Sequence, residues 1–233
     1  MAKSHLSRYG KILILFPLLT SLYRLSPAKK TRSPVPVREE RRKLAGQRFA
    51  PVQGVEAIGV GATCIALGIL LPLFVHPLGI SPRIVLPMHF PVFLAGMLLP
   101  LPLAAAVGAL TPALSAGFTG MPTPDQALRM IPELAAYAVI TALMLRVMPV
   151  WPLANDKWGR IIALVAAMFV AMIAGRFVYI LISAWMIGLN TAHYYLMVLV
   201  VPALPGIIAQ LMLVPPLAYR VQNVIYRSET GAK

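Results

Sequence analysis

Three ionisable side chains lie well inside apolar stretches of the sequence: His89, Glu133 and Arg176. An ionisable group within a bilayer is costly and usually has either a partner or a function. A guanidinium such as that of Arg176 can hold a carboxylate or a phosphate. These residues therefore indicate a polar site inside a helical membrane protein.

Two further residues extend this predicted site. Tyr137 follows Glu133 by one helical turn on the same face and could place its ring against a flat ligand. Asn190 lies near the same predicted outer side of the membrane. We predict a substrate site made of His89, Glu133, Tyr137, Arg176 and Asn190.

The same residues also have a purely structural interpretation. Glu133 and Arg176 could simply neutralise each other between two helices, which would imply no ligand. His89 could bond a backbone carbonyl that is left free by Pro91. Tyr137 could be an ordinary packing residue, and the sequence leaves both interpretations open.

The composition identifies the class of protein that must position these groups. The 233 residues are 59% hydrophobic and 12% charged, whereas soluble domains contain about 25% charged residues. The apolar runs have helical length and lack the alternation of a membrane barrel. The sequence therefore predicts an all-α integral membrane protein, and its single cysteine, Cys64, excludes an internal disulfide and a cysteine-built metal site.

Apolar runs and their proline, glycine and charge boundaries predict six transmembrane helices within a domain at 55–220. We place them at 55–75, 84–99, 103–118, 127–147, 160–187 and 195–219. The second and third are short and should form a hairpin with a tight link at 100–102. Pro87 and Pro91 should distort the start of the second span.

Basic residues are concentrated before the first predicted span. Twelve of the 21 Lys and Arg residues fall within the first 48 positions. We predict that 1–54 forms a basic cytoplasmic arm, interfacial or disordered, that rests on anionic lipid headgroups. RNA binding is the alternative, but no aromatic interleaving or RNA-binding motif accompanies the charge, so no nucleic-acid partner is predicted.

The remaining charges predict the orientation of the chain. The outer loops would carry only Arg83 and Arg129 as basic residues, while the inner segments carry several, including Arg160. This asymmetry places both termini, including a tail at 221–233, in the cytoplasm.

Motifs for chemistry are absent from the sequence. It contains no phosphate-binding loop of the G-x-x-x-x-G-K-[ST] type, no H-E-x-x-H and no G-x-S-x-G. Its four histidines have no metal-ligand spacing. We therefore predict neither enzymatic activity nor a metal or cofactor, and any ATP hydrolysis must come from other subunits.

Small residues form a stripe along the first predicted span. Ala62 and Ala66 are four residues apart, and Gly59 lies one turn before them. Such a stripe lets another helix approach closely. The partner could be a helix of the same chain or of another subunit, and the pattern alone does not decide between them.

A series of motifs runs from the second predicted span to the fifth. It comprises Pro87-Met88-His89-Phe90-Pro91-Val92 with Gly96; Gly108, Pro112 and Ser115; Gly120-Met121-Pro122; Glu133-Leu134 with Tyr137; and Gly175-Arg176. The series resembles that of the substrate-binding S components of energy-coupling factor (ECF) vitamin transporters. The resemblance is most specific over 87–137 and extends loosely from residue 55 to the C-terminus.

This resemblance implies a six-helix protein of a bacterial or archaeal cell membrane. It would capture a vitamin or vitamin precursor from outside and release it inward with a transmembrane coupling protein and two ATPase subunits. The Ala62-x-x-x-Ala66 stripe is similar to the motif with which S components dock on the coupling protein. The alternative is a stand-alone secondary transporter with Glu133 as proton carrier, although the chain shows no clear inverted repeat.

Overall fold

The computed structural model describes residues 49–79, 82–147 and 156–230. Within these ranges it describes every side chain except those of 82–83, 189–200 and 226–230. The basic arm predicted at 1–54 therefore lies outside the described residues up to position 48. The end of the predicted tail, at 231–233, lies outside them as well.

The described part of the chain is helical and contains no strand. Its α-helices are α1 (Gly54–Val75), α2 (Pro82–Val85), α3 (His89–Leu98), α4 (Leu101–Thr119), α5 (Pro124–Val147), α6 (Lys157–Ile187) and α7 (Leu189–Thr230), and a short 3₁₀ turn, His76–Leu78, follows α1. The prediction of an all-helical protein is confirmed for these residues.

Five of the described helices are long and apolar enough to cross a membrane. They are α1 with the turn that follows it, α4, α5, α6 and the part of α7 at Val201–Ile225. The chain is thus suited to a membrane. The second predicted span, at 84–99, does not form one membrane-length helix.

That predicted span is divided at Leu86. Its backbone has φ of 51°, in the left-handed region, which a helix cannot contain, and Pro87 lacks the N–H that a continuing helix would use. The four-residue α2 precedes the break and the ten-residue α3 follows it. At 1.5 Å per residue α3 spans about 15 Å, roughly half of a hydrocarbon core.

A short helix is tolerated here because α3 is enclosed by the rest of the protein. Nine of its ten residues are buried. Backbone carbonyls near its two ends accept hydrogen bonds from α7: Gln210 Nε2 donates to Leu86 O at 3.2 Å and Gln222 Nε2 donates to Met97 O at 3.0 Å. Leu86 O also accepts from the backbone N–H of His89 at 3.0 Å, so the polar backbone at these ends has partners, as the interior of a membrane protein requires.

Two glycines let α5 lie centrally between its neighbours. A Cβ at Gly96 of α3 would lie 2.7 Å from Ala138 O, and one at Gly108 of α4 would lie 2.7 Å from the Cα of Ala135. Only a residue without a side chain permits such close approach of helix backbones. The helix that carries Glu133 is therefore held firmly against both α3 and α4.

Arg160, expected at the helix boundary as an orientation charge, is instead buried at one end of the bundle. Its side chain is 1% exposed, and Nη1 donates to Asn223 Oδ1 at 2.7 Å. Its guanidinium lies 5.5 Å from the ring centroid of Phe49 and 4.6 Å from that of Tyr219. These contacts attach the segment that precedes α1 to α6 and α7.

Candidate functional site

The centre of the site is an ion pair between α5 and α6. Arg176 Nη1 lies 3.0 Å from Glu133 Oε1, and the two side chains are 17% and 2% exposed. The same carboxylate oxygen accepts a hydrogen bond of 2.6 Å from the hydroxyl of Tyr137. Charge-assisted bonds of this kind are strong and fix the geometry of the groups that make them.

The ring of Tyr137 occupies a slot that the sequence of α6 provides. Gly175 faces the ring, and a Cβ at that position would overlap the ring atoms. On its other side the ring lies 5.5 Å from the ring of His89, tilted by 50°, and 5.0 Å from that of Phe93, tilted by 36°. These are ordinary distances for aromatic contacts, so α3, α5 and α6 meet at one ring.

A small cavity adjoins this network. It has a volume of about 30 Å³ and is lined by Leu86, His89, Phe93, Tyr137, Met172, Arg176, Ile207 and Gln210. This space suits water and is about a tenth of the smallest usual small-molecule pocket. In this structure the cavity has room for water but not for an organic solute.

Three buried polar atoms on residues that line the cavity have no hydrogen-bond partner among the described residues. They are Nδ1 and Nε2 of His89 and Oε1 of Gln210. His89 is 4% exposed and Gln210 is fully buried. Because buried polar atoms in native proteins are nearly always satisfied, these three mark a place where a polar partner would be favourable.

Four of the five predicted site residues are brought together: His89, Glu133, Tyr137 and Arg176. Asn190 begins α7, but its side chain lies outside the described residues. Sequence reasoning missed Gln210 and Phe93 as lining residues. The signal that could have identified Gln210 is its side-chain amide within an otherwise apolar run.

Arg129 corrects the prediction of a basic residue in an outer loop. It lies within α5, one turn before Glu133, and is only 6% exposed. The helix begins at Pro124, so the loop is shorter than the apolar pattern indicated. The guanidinium of Arg129 is therefore buried on the same helix as Glu133.

The two predicted docking residues lie away from this site. Ala62 and Ala66 are both exposed on α1, as is Gly59. The face of α1 that packs inward consists of other residues: Ala57, Val60, Gly61, Cys64 and Gly68. The small-residue stripe is therefore not used for packing within the described part of the chain.

Comparisons with known proteins leave the site to be interpreted from its own chemistry. No family model, curated protein or solved structure matches this chain. Within 49–79, 82–147 and 156–230, no group of three or more His, Cys, Asp and Glu residues could hold a metal ion. The site instead offers a guanidinium, an imidazole, an amide and aromatic rings around one cavity, which is a set suited to recognising a solute.

Proposed function

We propose that this protein is the solute-binding membrane subunit of an ECF-type importer. It captures a vitamin-like small molecule from outside, and a coupling protein with two ATPase subunits drives the release inward. The observation that carries the proposal is that His89 and Gln210, which line one cavity together with Arg176, have buried polar atoms without a partner among the described residues. The motif series described above and the lack of a nucleotide-binding motif agree with this assignment.

A purely structural ion pair would not explain the site. The pair between Glu133 and Arg176 neutralises those two residues, but it leaves both ring nitrogens of His89 and the Oε1 atom of Gln210 without a partner among the described residues. Each unpaired buried polar group costs about 1–3 kcal/mol. A bound guest that hydrogen-bonds to both residues removes that penalty, which favours a binding site over simple neutralisation.

Solute entry requires the cavity to enlarge. Leu86 lines it at the break between α2 and α3, so movement of this break relative to α7 would open the space. In this proposal α3 is the shortened second of six membrane helices, and its short length is tolerated because nine of its ten residues are buried in the protein. The proposal takes both termini to be cytoplasmic, as the distribution of basic residues predicts, and the site then lies in the outer half of the membrane.

The solute-binding role predicts that the purified protein carries a ligand. Native mass spectrometry of the protein, released gently from detergent, should show an added mass of a small heterocyclic molecule. His89→Ala should lower its occupancy by about tenfold, because a buried hydrogen-bond partner is lost. Preparations of the native protein that never carry or retain any solute would contradict the role.

If the stripe with Ala62 and Ala66 docks on the coupling protein, changing it should stop transport without affecting solute binding. Ala62→Trp should abolish uptake in cells that contain the coupling module and leave solute binding intact, because a large ring would hold a partner helix away from α1. Gly117→Trp is the control, since Gly117 is exposed on α4 and a Cβ there meets no atom within 4 Å. Normal uptake by the Ala62 variant would contradict this role.

A stand-alone secondary transporter is the second candidate, and the intramembrane carboxylate of Glu133 favours it, since such groups serve as proton relays in transporters. Liposomes that contain only this protein distinguish the two. The ECF proposal predicts no uptake under a pH gradient without the ATPases. Uptake that follows the gradient and is lost in Glu133→Gln would favour the second candidate.

A further inference from the structure

The two buried glutamines of α7 make equivalent bonds but lie in different surroundings. Gln210 and Gln222 each donate a side-chain N–H to a backbone carbonyl at one end of α3. The Oε1 atom of each has no partner among the described residues. Only Gln210 lines the cavity beside His89 and Arg176, so of the two unpartnered carbonyl oxygens only that of Gln210 belongs to a residue next to this space.

His89 supplies the matching groups on the opposite helix. A neutral imidazole presents one donor and one acceptor, and both ring nitrogens of His89 are buried without a partner in the described structure. Together with Gln210 Oε1 the site therefore offers a combination of donor and acceptor groups. The rings of Tyr137 and Phe93 line the same space and suit a flat guest.

The charge on Arg176 is already matched. Glu133 lies 3.0 Å from its guanidinium, and Arg129, one turn before Glu133 on α5, does not line the cavity. A carboxylate or phosphate that entered the cavity would therefore meet a guanidinium that already has its counter-charge. An unmatched charge in a site that excludes water is strongly unfavourable. A guest without net charge at its buried end avoids this penalty.

We infer that Gln210 and His89 read a neutral, flat hydrogen-bonding edge of the solute, such as an amide or a lactam. The inference rests on the proposed solute-binding function and names the class of substrate for that site. Arg176 then serves as the partner of Glu133 and as an additional donor to the guest. It is not the receptor for an anionic group.

Binding of matched neutral and anionic compounds tests this inference. The protein, in lipid nanodiscs, is equilibrated with an equimolar mixture of nicotinamide and nicotinate, benzamide and benzoate, uracil and orotate, and with a small-molecule extract of the expression host. Solutes that remain after gel filtration are identified by mass. We expect neutral amides or lactams to be retained at least about tenfold better than anionic compounds, since each unmatched buried group costs roughly that factor.

Three variants show whether Gln210 and His89 are responsible for retention of the solute. Gln210→Leu and His89→Phe should lower retention by about tenfold or more, whereas Gln222→Leu, which removes the equivalent bond to α3, should change it less than about twofold. Preferential retention of carboxylates or phosphates would overturn the inference and leave the solute-binding function standing. Equal losses in Gln210→Leu and Gln222→Leu would also overturn it, and retention of no solute at all would overturn the proposed function as well.

Discussion

Arg176→Met is expected to lower the free energy of unfolding by about 3–5 kcal/mol, because it leaves the buried carboxylate of Glu133 without its counter-charge. Glu133 is 2% exposed and Arg176 only 17% exposed, so water cannot replace the lost partner effectively. The measurement is equilibrium unfolding of both proteins in the same detergent. A variant as stable as the native protein would contradict the stabilising role of this ion pair.

The double variant Glu133→Gln, Arg176→Met separates the structural role of the pair from its role in binding. Stability should largely recover, because no charge remains unmatched. Solute retention should not recover, because the guanidinium that lines the cavity is gone. A stable double variant that retains its solute normally would show that the pair serves the fold alone.

Gly175→Ala is expected to have the second largest effect, a loss of about 1–3 kcal/mol in stability from overpacking. The added Cβ would overlap the ring of Tyr137, and moving that ring breaks its 2.6 Å hydrogen bond to Glu133. Solute retention should therefore fall together with stability. Thermal unfolding and native mass spectrometry measure the two effects.

A matched control is available on α4. Gly117→Ala adds the same methyl group where no atom lies within 4 Å, so it should be neutral or slightly stabilising through helix propensity. The loss in Gly175→Ala should also be smaller when Tyr137 is already replaced by leucine, since the two residues are in contact. Equal effects of the two glycine variants would contradict the close fit between α6 and the ring.

Features that depend on one helix alone could be predicted from the sequence. Long apolar runs and the lack of strand alternation predicted the helical membrane class, and five of the six predicted spans correspond to membrane-length helices. Glu133 and Tyr137 could be placed on one face because they are one turn apart on α5. The break near Pro87 was also indicated, since proline lacks the N–H of a continuing helix.

Features that depend on tertiary contacts were not predictable. The burial of Arg160 follows from its contacts with Phe49, Tyr219 and Asn223, which lie more than 50 residues away in the sequence. Gln210 meets Leu86 across 124 positions. No local sequence pattern encodes such pairs. The contact between Gly175 and the ring of Tyr137 likewise depends on how α5 and α6 pack together.

The most direct test is an experimental structure of the protein, bound to an antibody fragment, after equilibration with a small-molecule extract. The account predicts an ordered solute in contact with His89, Gln210 and Arg176, in a cavity enlarged to several hundred cubic ångströms, as small-molecule pockets require. A cavity that still holds only water, or a solute bound elsewhere on the protein, would contradict it.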